Sequence, residues 1–257
     1  MTSAKRPVKK PPAPPSPSAK RQRRQFEERD RQIREAAQRL LLERGLHGFS
    51  MEDVADAIEY SKGTVYLHYT SKEDALVASC ADRVGQLADR FERAAAYPGT
   101  PRERMAAITL THGRFVGENP VNFRTLPLMH SPTVLEKAAP ERRHAVDAGI
   151  GRTLAACTGV VRDAVIRGDL VLPAGKRPED VSFALFALML GAHLLAELHG
   201  PEGLLGVTDP AAAVRLHSEA YMDGLGWKPI LGKEAAEAAH RRMRDALFPE
   251  PDRRGAK

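Results

Sequence analysis

From Phe26 onward, apolar side chains return at intervals of three and four. Ile33, Ala36, Ala37, Leu40 and Leu41 form one stripe, which predicts a helix with one face in a core. Gly45 follows Arg44 and supplies a C-terminal stop. Ser50-Met51-Glu52-Asp53 then reads as an N-cap followed by acids in the first turn, where they oppose the positive end of the helix dipole. A short helix is expected from Met51 to about Ile58. Ser61 caps a second short helix that runs to about His68 or Tyr69. Ser71-Lys72-Glu73-Asp74 opens a long helix through Leu76, Cys80, Val84, Leu87, Phe91 and Ala94, closed by Pro98-Gly99.

The remaining chain keeps helical periodicity. Helices are expected over 101–117, 120–129, 132–148 (bent near Pro140), 149–168, 178–199 and 209–225. Breaks fall at Asn119-Pro120, Gly168-Asp169, Pro173-Ala174-Gly175 and Gly200-Pro201. A further amphipathic stretch, Lys233–Leu247, puts Ala235, Ala239, Met243 and Leu247 on one side. No segment alternates with period two over β-branched residues, and no repeat is visible. The fold class is therefore all-α.

Charge changes this picture at one end. The 257 residues carry a net +6, yet residues 1–24 hold eight Lys/Arg and no acid, leaving −2 for the rest. Residues 1–24 are also rich in Pro and Ser with little to bury, so they are expected to be a disordered basic arm. The longest largely apolar run, Phe183–Ala196, is 14 residues and interrupted by a histidine, short of a bilayer span. The N-terminus has no apolar core of a secretory signal, and six prolines in residues 7–17 oppose an amphipathic transit helix. Cys80 and Cys157 are isolated thiols, read as small buried apolar groups. These features point to a cytoplasmic protein with no membrane partner, no metal site and no cofactor.

The segment Ser50–Lys72 carries the chemistry. Two helices of about two turns joined by a tight turn have the geometry of a helix-turn-helix. Met51, Val54, Ala55 and Ile58 give the first helix an inner face, and Val65 and Tyr69 anchor the second. The N-terminal end of the second helix is the part able to enter a major groove. Lys62 can donate to guanine O6 and N7 there, Gly63 lets the backbone come close, and Thr64 offers a methyl and a hydroxyl. Ser50, Ser61, Tyr66, His68 and Lys72 are the remaining expected DNA contacts. Tyr66 and His68 are placed for phosphate oxygens, and Lys72 stands at the start of the next helix, where charge and helix terminus both suit a phosphate.

Arg34-x-x-Ala37-x-x-Leu40-Leu41-x-Glu43-x-Gly45, Phe49-Ser50-Met51-x-Asp53-Val54-Ala55, and Ser61-Lys62-Gly63-Thr64-Val65-Tyr66-x-His68-Tyr69-x-Ser71-Lys72-Glu73 together resemble the DNA-binding domain of TetR/AcrR-type transcriptional regulators. The resemblance covers residues 28–76. It departs at the turn, where the family usually has Gly-Val and this chain has Glu59-Tyr60; glutamate lacks the easy positive φ of glycine and adds a negative charge near DNA. The resemblance implies a ligand-responsive homodimer, a repressor of a double-stranded DNA operator, with a variable helical C-terminal domain that binds a small-molecule effector. It also implies pairing through two helices, here 178–199 and 209–225, with Phe183, Ala187, Gly191 and Leu194 as dimer contacts. The expected organisation is an arm over 1–24, a DNA-binding domain over 25–72, a ligand-binding and dimerisation domain over 73–228, and an amphipathic extension over 229–257.

Other residues keep two readings open. His112, Phe115, Phe123 and Met129, with His130, suit an apolar ligand pocket with few polar groups, and equally suit an ordinary core. His193 and His199 fit hydrogen-bonded structural roles. GxSxG, P-loop, HExxH and GxGxxG motifs are absent, so an enzyme is not expected. The competing function is a helical sensor or interaction protein of the same fold without specific operator binding.

Overall fold

A computed structural model describes residues 16–129, 131–199 and 206–249. Within them the regular structure is helical, with no strand among the described residues. The chain divides into two compact units, one through His68 and one from Tyr69, rather than after Lys72. His130 and the Gly200-Pro201 break lie outside the described residues, as do residues 1–15 of the expected arm.

The first unit holds α1 (Pro17–Arg44), α2 (Met51–Ala57) and α3 (Lys62–Tyr66). Ile33, Ala37 and Leu40 of α1, Val54 and Ala55 of α2, and Val65 of α3 are buried. One expectation needs correction here. Residues 17–24, read as part of a disordered arm, are the first two turns of α1. Ser16 caps the helix by accepting from the Ala19 amide, and Pro17 occupies the first helical position, where a missing N–H costs nothing. The packed part of the helix supplies the nucleus, so each added turn needs only propagation. Arg23 and Glu27 then pair one turn apart at 2.8 Å.

The second unit contains α4 (Lys72–Ala95), α5 (Pro101–Glu118), α6 (Pro120–Met129), α7 (Pro132–Leu135), α8 (Pro140–Arg167), α9 (Pro178–His199), α10 (Pro210–Gly224) and α11 (Lys233–Leu247). The helix expected over 132–148 and the one over 149–168 are instead a single turn, α7, and one long helix from Pro140. Proline lacks the amide that a helix interior needs, so it begins α8 instead of bending it. Gly149 does not break α8 because it serves packing. A Cβ there would stand 2.7 Å from Val84 Cγ1, so the glycine lets α8 lie close against α4.

α5 lies against α4, α8, α10 and α11, and its Met105, Ile108 and Phe115 join the core with Phe91, Val161 and Met189. Arg102 of α5 is almost fully buried and ties three groups together. It donates to the Trp227 carbonyl at 2.5 Å, to Glu219 at 2.7 Å and to Asp223 at 2.6 Å. α11 docks on α5 through Ala239 and Met243.

α9 is apolar on both sides. Val181, Leu185, Met189 and His193 face the core, while Phe183, Ala187 and Leu195 are exposed. This revises the reading that the apolar run is too short for a membrane. Pro178–Ala196 is long and apolar enough by length and composition, with a mean hydropathy of 1.5 and only 28% of it buried. The longer span takes in Glu179 and Asp180 of the first turn, which the run from Phe183 outweighs in the mean.

Candidate nucleic-acid interface

The site is built from α2, a four-residue connection and α3. Ser50 and Asp53 form a reciprocal cap on α2. The Ser50 hydroxyl donates to the Asp53 carboxylate at 2.6 Å, the Ser50 amide donates to it at 2.8 Å, and the Asp53 amide donates back to Ser50 Oγ at 3.2 Å. These bonds from Ser50, joined by Arg44 at 3.1 Å, hold the Asp53 carboxyl below the ordinary carboxylate range. The hydroxyl proton of Ser50 is therefore committed inside the protein.

α2 ends in a Schellman arrangement. The Tyr60 amide donates to the Ala55 carbonyl and the Glu59 amide to the Asp56 carbonyl, with Glu59 between them at φ +56°. Glutamate thus occupies the left-handed conformation that glycine adopts freely, at a cost of about 1–2 kcal/mol. The turn keeps its geometry despite the substitution of Glu-Tyr for Gly-Val. Tyr60 contributes to holding it, since its hydroxyl donates to Gln32 Oε1 of α1 at 2.6 Å.

Ser61 caps α3 by accepting from the Thr64 amide at 3.2 Å, and its hydroxyl shares a bond with Thr64 Oγ1 at 2.8 Å. Val65 is fully buried and fixes the orientation of the helix. Lys62, Gly63 and Tyr66 are consequently on the outer side, all exposed, with Thr64 half-buried. Lys62 Nζ lies 3.6 Å from Glu52 on α2 and keeps 65% of its side chain exposed. A Cβ on Gly63 would meet only Ser61 Oγ, at 3.9 Å, so nothing within the protein demands a glycine there.

One expected contact is placed differently, and Lys72 stands where expected. The His68 side chain is 3% exposed and turned inward, with Nδ1 3.6 Å from Asp30 and the ring stacked on Phe26 at 4.0 Å. It follows α3 rather than extending its outer face, because α3 ends at Tyr66. Lys72 is the first residue of α4 and belongs to the second unit. Leu67 was missed by sequence reasoning. It is 83% exposed at the end of α3, one turn beyond Gly63. Its spacing from Gly63 was the available signal, but an apolar residue next to Val65 reads as core.

The second unit holds a different candidate site. His112 is fully buried, and neither ring nitrogen has a hydrogen-bond partner among the described residues. Its ring meets Phe123 edge-on at 5.6 Å, Phe91 at 6.1 Å and His193 at 5.0 Å. Burial, with a smaller contribution from His193, pushes its pKa down to about 3, so the imidazole is neutral. Phe115 lies 6.4 Å from Phe123, and Met129 is buried further along α6. The structure therefore brings His112, Phe115 and Phe123 together. His193 Nδ1 lies 2.8 Å from the Met189 carbonyl, and the His199 side chain is outside the described residues. Burial raises the Cys80 thiol to about 11 and the Cys157 thiol to about 12, so both remain protonated. Among the described residues, no group of three or more His, Cys, Asp or Glu is placed to hold a metal ion.

Residues 33–78 match the family described as bacterial regulatory proteins, tetR family. The crystal structure of a TetR/AcrR-family transcriptional regulator from Thermobifida fusca YX-ER1 aligns with 74% of this chain and 95% of that one, at 27% identity and a TM-score of 0.55. Residues 33–78 are thus a TetR-family DNA-binding segment, and the fold over most of the chain is similar to that of TetR/AcrR-family regulators. Over 81 residues it is 30% identical to the fatty acid metabolism regulator protein of Bacillus subtilis (strain 168), which spans 32% of this chain and 42% of that protein. Thus the chain matches less than half the length of that relative. FadR from Bacillus subtilis, solved in complex with stearoyl-CoA, shares the fold, with 19% identity, a TM-score of 0.60, and coverage of 75% of this chain and 97% of that one.

Proposed function

We propose that this chain is a cytoplasmic, homodimeric repressor of the TetR/AcrR type that reads a pseudo-palindromic operator through α3 and releases it when a small apolar molecule binds the second unit. The observation that carries the reading is the outer side of α3. Lys62, Gly63 and Tyr66 are exposed together, while the helix is fixed from behind by Val65. Gly63 leaves space that the protein does not fill, which suits close approach to a base edge. Lys62 would exchange Glu52 for a guanine edge or a phosphate, and Thr64 would meet a thymine methyl. Ser50 and Ser61 would act mainly by holding the two helix ends.

Pairing through α9 and α10 accounts for apolar surface that has no cover among the described residues. Phe183 is 67% exposed and Leu216 of α10 is 65% exposed, and Ala187 shares the Phe183 side of α9. With twofold symmetry, two α3 helices must stand about 34–36 Å apart to enter successive major grooves. A ligand that favours another spacing lowers operator affinity, and a coupling of about 1–3 kcal/mol gives a 5–150-fold effect.

His112 supports an effector with an apolar body and one neutral hydrogen-bonding group. Its ring is held among Phe91, Phe123 and His193, and the two imidazoles are the polar groups in contact there. The relatives concerned with fatty acid metabolism make acyl compounds the first class to test.

The test is a fluorescence anisotropy titration of the full chain against the upstream region of its own gene and a scrambled duplex. Lys62→Ala should weaken the native duplex by about 1–3 kcal/mol and relax preference at one base pair. Equal loss on both duplexes would remove base reading from the proposal. Operator affinity that stays constant under saturating acyl compounds would remove that effector class.

A further inference from the structure

The first half of α1 carries a cationic groove that the base-reading face does not use. It is lined by Lys20, Arg21, Arg24 and Arg29, with Glu28, and Tyr60 closes one side. The spacing 20, 21, 24, 28 places Lys20, Arg21, Arg24 and Glu28 on one side of the helix, with Arg29 at its edge. None of the four cations has an ion pair among the described residues. Neighbouring arginines differ: Arg23 pairs with Glu27, and Arg31 with both Glu28 and Glu35. Glu28 is therefore already matched by Arg31, at 2.6 Å, and leaves the groove's cations uncompensated.

The groove is continuous with the helix-turn-helix. Tyr60 donates to Gln32 Oε1 at 2.6 Å, and Gln32 Nε2 donates to Glu28 at 3.0 Å. Tyr60 also immediately precedes Ser61, the cap of α3. A ligand held by the groove thus lies beside the end of α3 that faces bases. The four cations span ten residues, nine steps of helix, about 14 Å at 1.5 Å per step. That length corresponds to about four steps of a nucleic-acid strand at 3.4 Å each.

We propose that this groove is a second DNA contact, holding the phosphate backbone that flanks the segment read by α3. The inference rests on the DNA-binding reading of α3 and adds a distinct surface to it. The contact is electrostatic, carries no base information, and lengthens the stretch of duplex that each subunit covers. Helical order in residues 17–24 matters here, because it presents the cations at fixed spacing instead of on a loose chain.

The experiment uses the full chain and measures affinity between about 50 and 200 mM salt, on the native upstream duplex and on a scrambled one. Replacing Lys20, Arg21, Arg24 and Arg29 together by glutamine should flatten the salt dependence on both duplexes. The expected loss of slope is about 0.9 for each phosphate released, up to about 3.6 per subunit. The ratio between the two duplexes should stay unchanged, because base reading is left intact. A companion variant with Arg21→Lys, Arg24→Lys and Arg29→Lys should restore most of the slope, which loss of helix alone would not allow. Glutamine is a good helix former, and far-ultraviolet circular dichroism checks that α1 is retained. An unchanged slope in the glutamine variant overturns the proposal, and so does a failure of the lysine variant to recover it. If the parent protein shows no preference between duplexes, base reading by α3 fails, while the slope difference still decides the groove.

Discussion

The helix-turn-helix and the interior around His112 place polarity in opposite ways. In α3 the buried anchor is apolar, Val65, and the polar groups Lys62 and Tyr66 stand outside. Around His112 the polar groups are inside, the His112 and His193 rings packed with the apolar Phe91 and Phe123. A base-reading surface must exchange water for a long, charged, polar partner, so its groups remain exposed and solvated. A site for a small apolar molecule works from within, where an unpartnered nitrogen is costly and a correct partner is correspondingly valuable. The same unit that holds His112 also buries Arg102, but there the two terminal guanidinium nitrogens donate to Glu219, Asp223 and the Trp227 carbonyl. A buried polar group with partners serves structure; His112, lacking them, is the better candidate for a ligand.

Removing Arg102 should sharpen this contrast most. Arg102→Ala leaves Glu219 without its cation in a partly buried setting and should destabilise the second unit by about 3–5 kcal/mol. Chemical denaturation with a probe in each unit should show the loss in signals from residues 69–249. A change below about 1 kcal/mol would show that the network contributes little.

The next effect is pH-dependent. A histidine whose folded pKa is about 3, against roughly 6.5 when unfolded, takes up its proton only in the unfolded chain between those values. Stability is therefore retained above about pH 6.5 and lost as pH falls below it, by about 1.4 kcal/mol per unit. At pH 5 this amounts to about 2 kcal/mol. His112→Leu should remove that part of the acid sensitivity, visible as a flatter dependence of Tm on pH. The same slope in both proteins would place His112 in a wetter setting.

Gly63→Ala should separate folding from recognition. The added methyl has room, and alanine favours a helix, so Tm should hold or rise slightly. Operator affinity should nonetheless fall on the order of tenfold, about 1.4 kcal/mol, if bases approach the Gly63 backbone. Unchanged affinity would move the DNA off this face of α3. The smallest effect is expected at the turn. Glu59→Gly releases a left-handed glutamate and should stabilise the first unit by about 1 kcal/mol, read as a higher denaturation midpoint. Destabilisation would mean that the Glu59 side chain makes a compensating contact.

Much of the helical plan is legible along the chain because its signals are local. Caps at Ser50, Ser61 and Ser71, the stop at Gly45 and the stripe from Ile33 to Leu41 act within a turn or two of helix, and each sits where spacing predicts. The outer side of α3 was legible for the same reason. Boundaries that depend on a neighbour were not. The stretches 132–148 and 149–168 read as two helices until Gly149 is seen packed against Val84, and residues 17–24 read as an arm until they are seen to continue a helix already nucleated by packing.

The sequence by itself determined the helical class, the capped pair α2–α3 and the residues available for DNA, since hydrogen bonding at helix ends and periodic burial are short-range properties. Only the tertiary structure decided which of those residues face outward. It turned His68 toward Asp30 and Phe26, left Leu67 exposed, set Glu59 at positive φ, and gathered His112, Phe91 and Phe123 from three helices. Side-chain direction at a helix end, and encounters between distant segments, depend on packing across the fold, which no local pattern specifies.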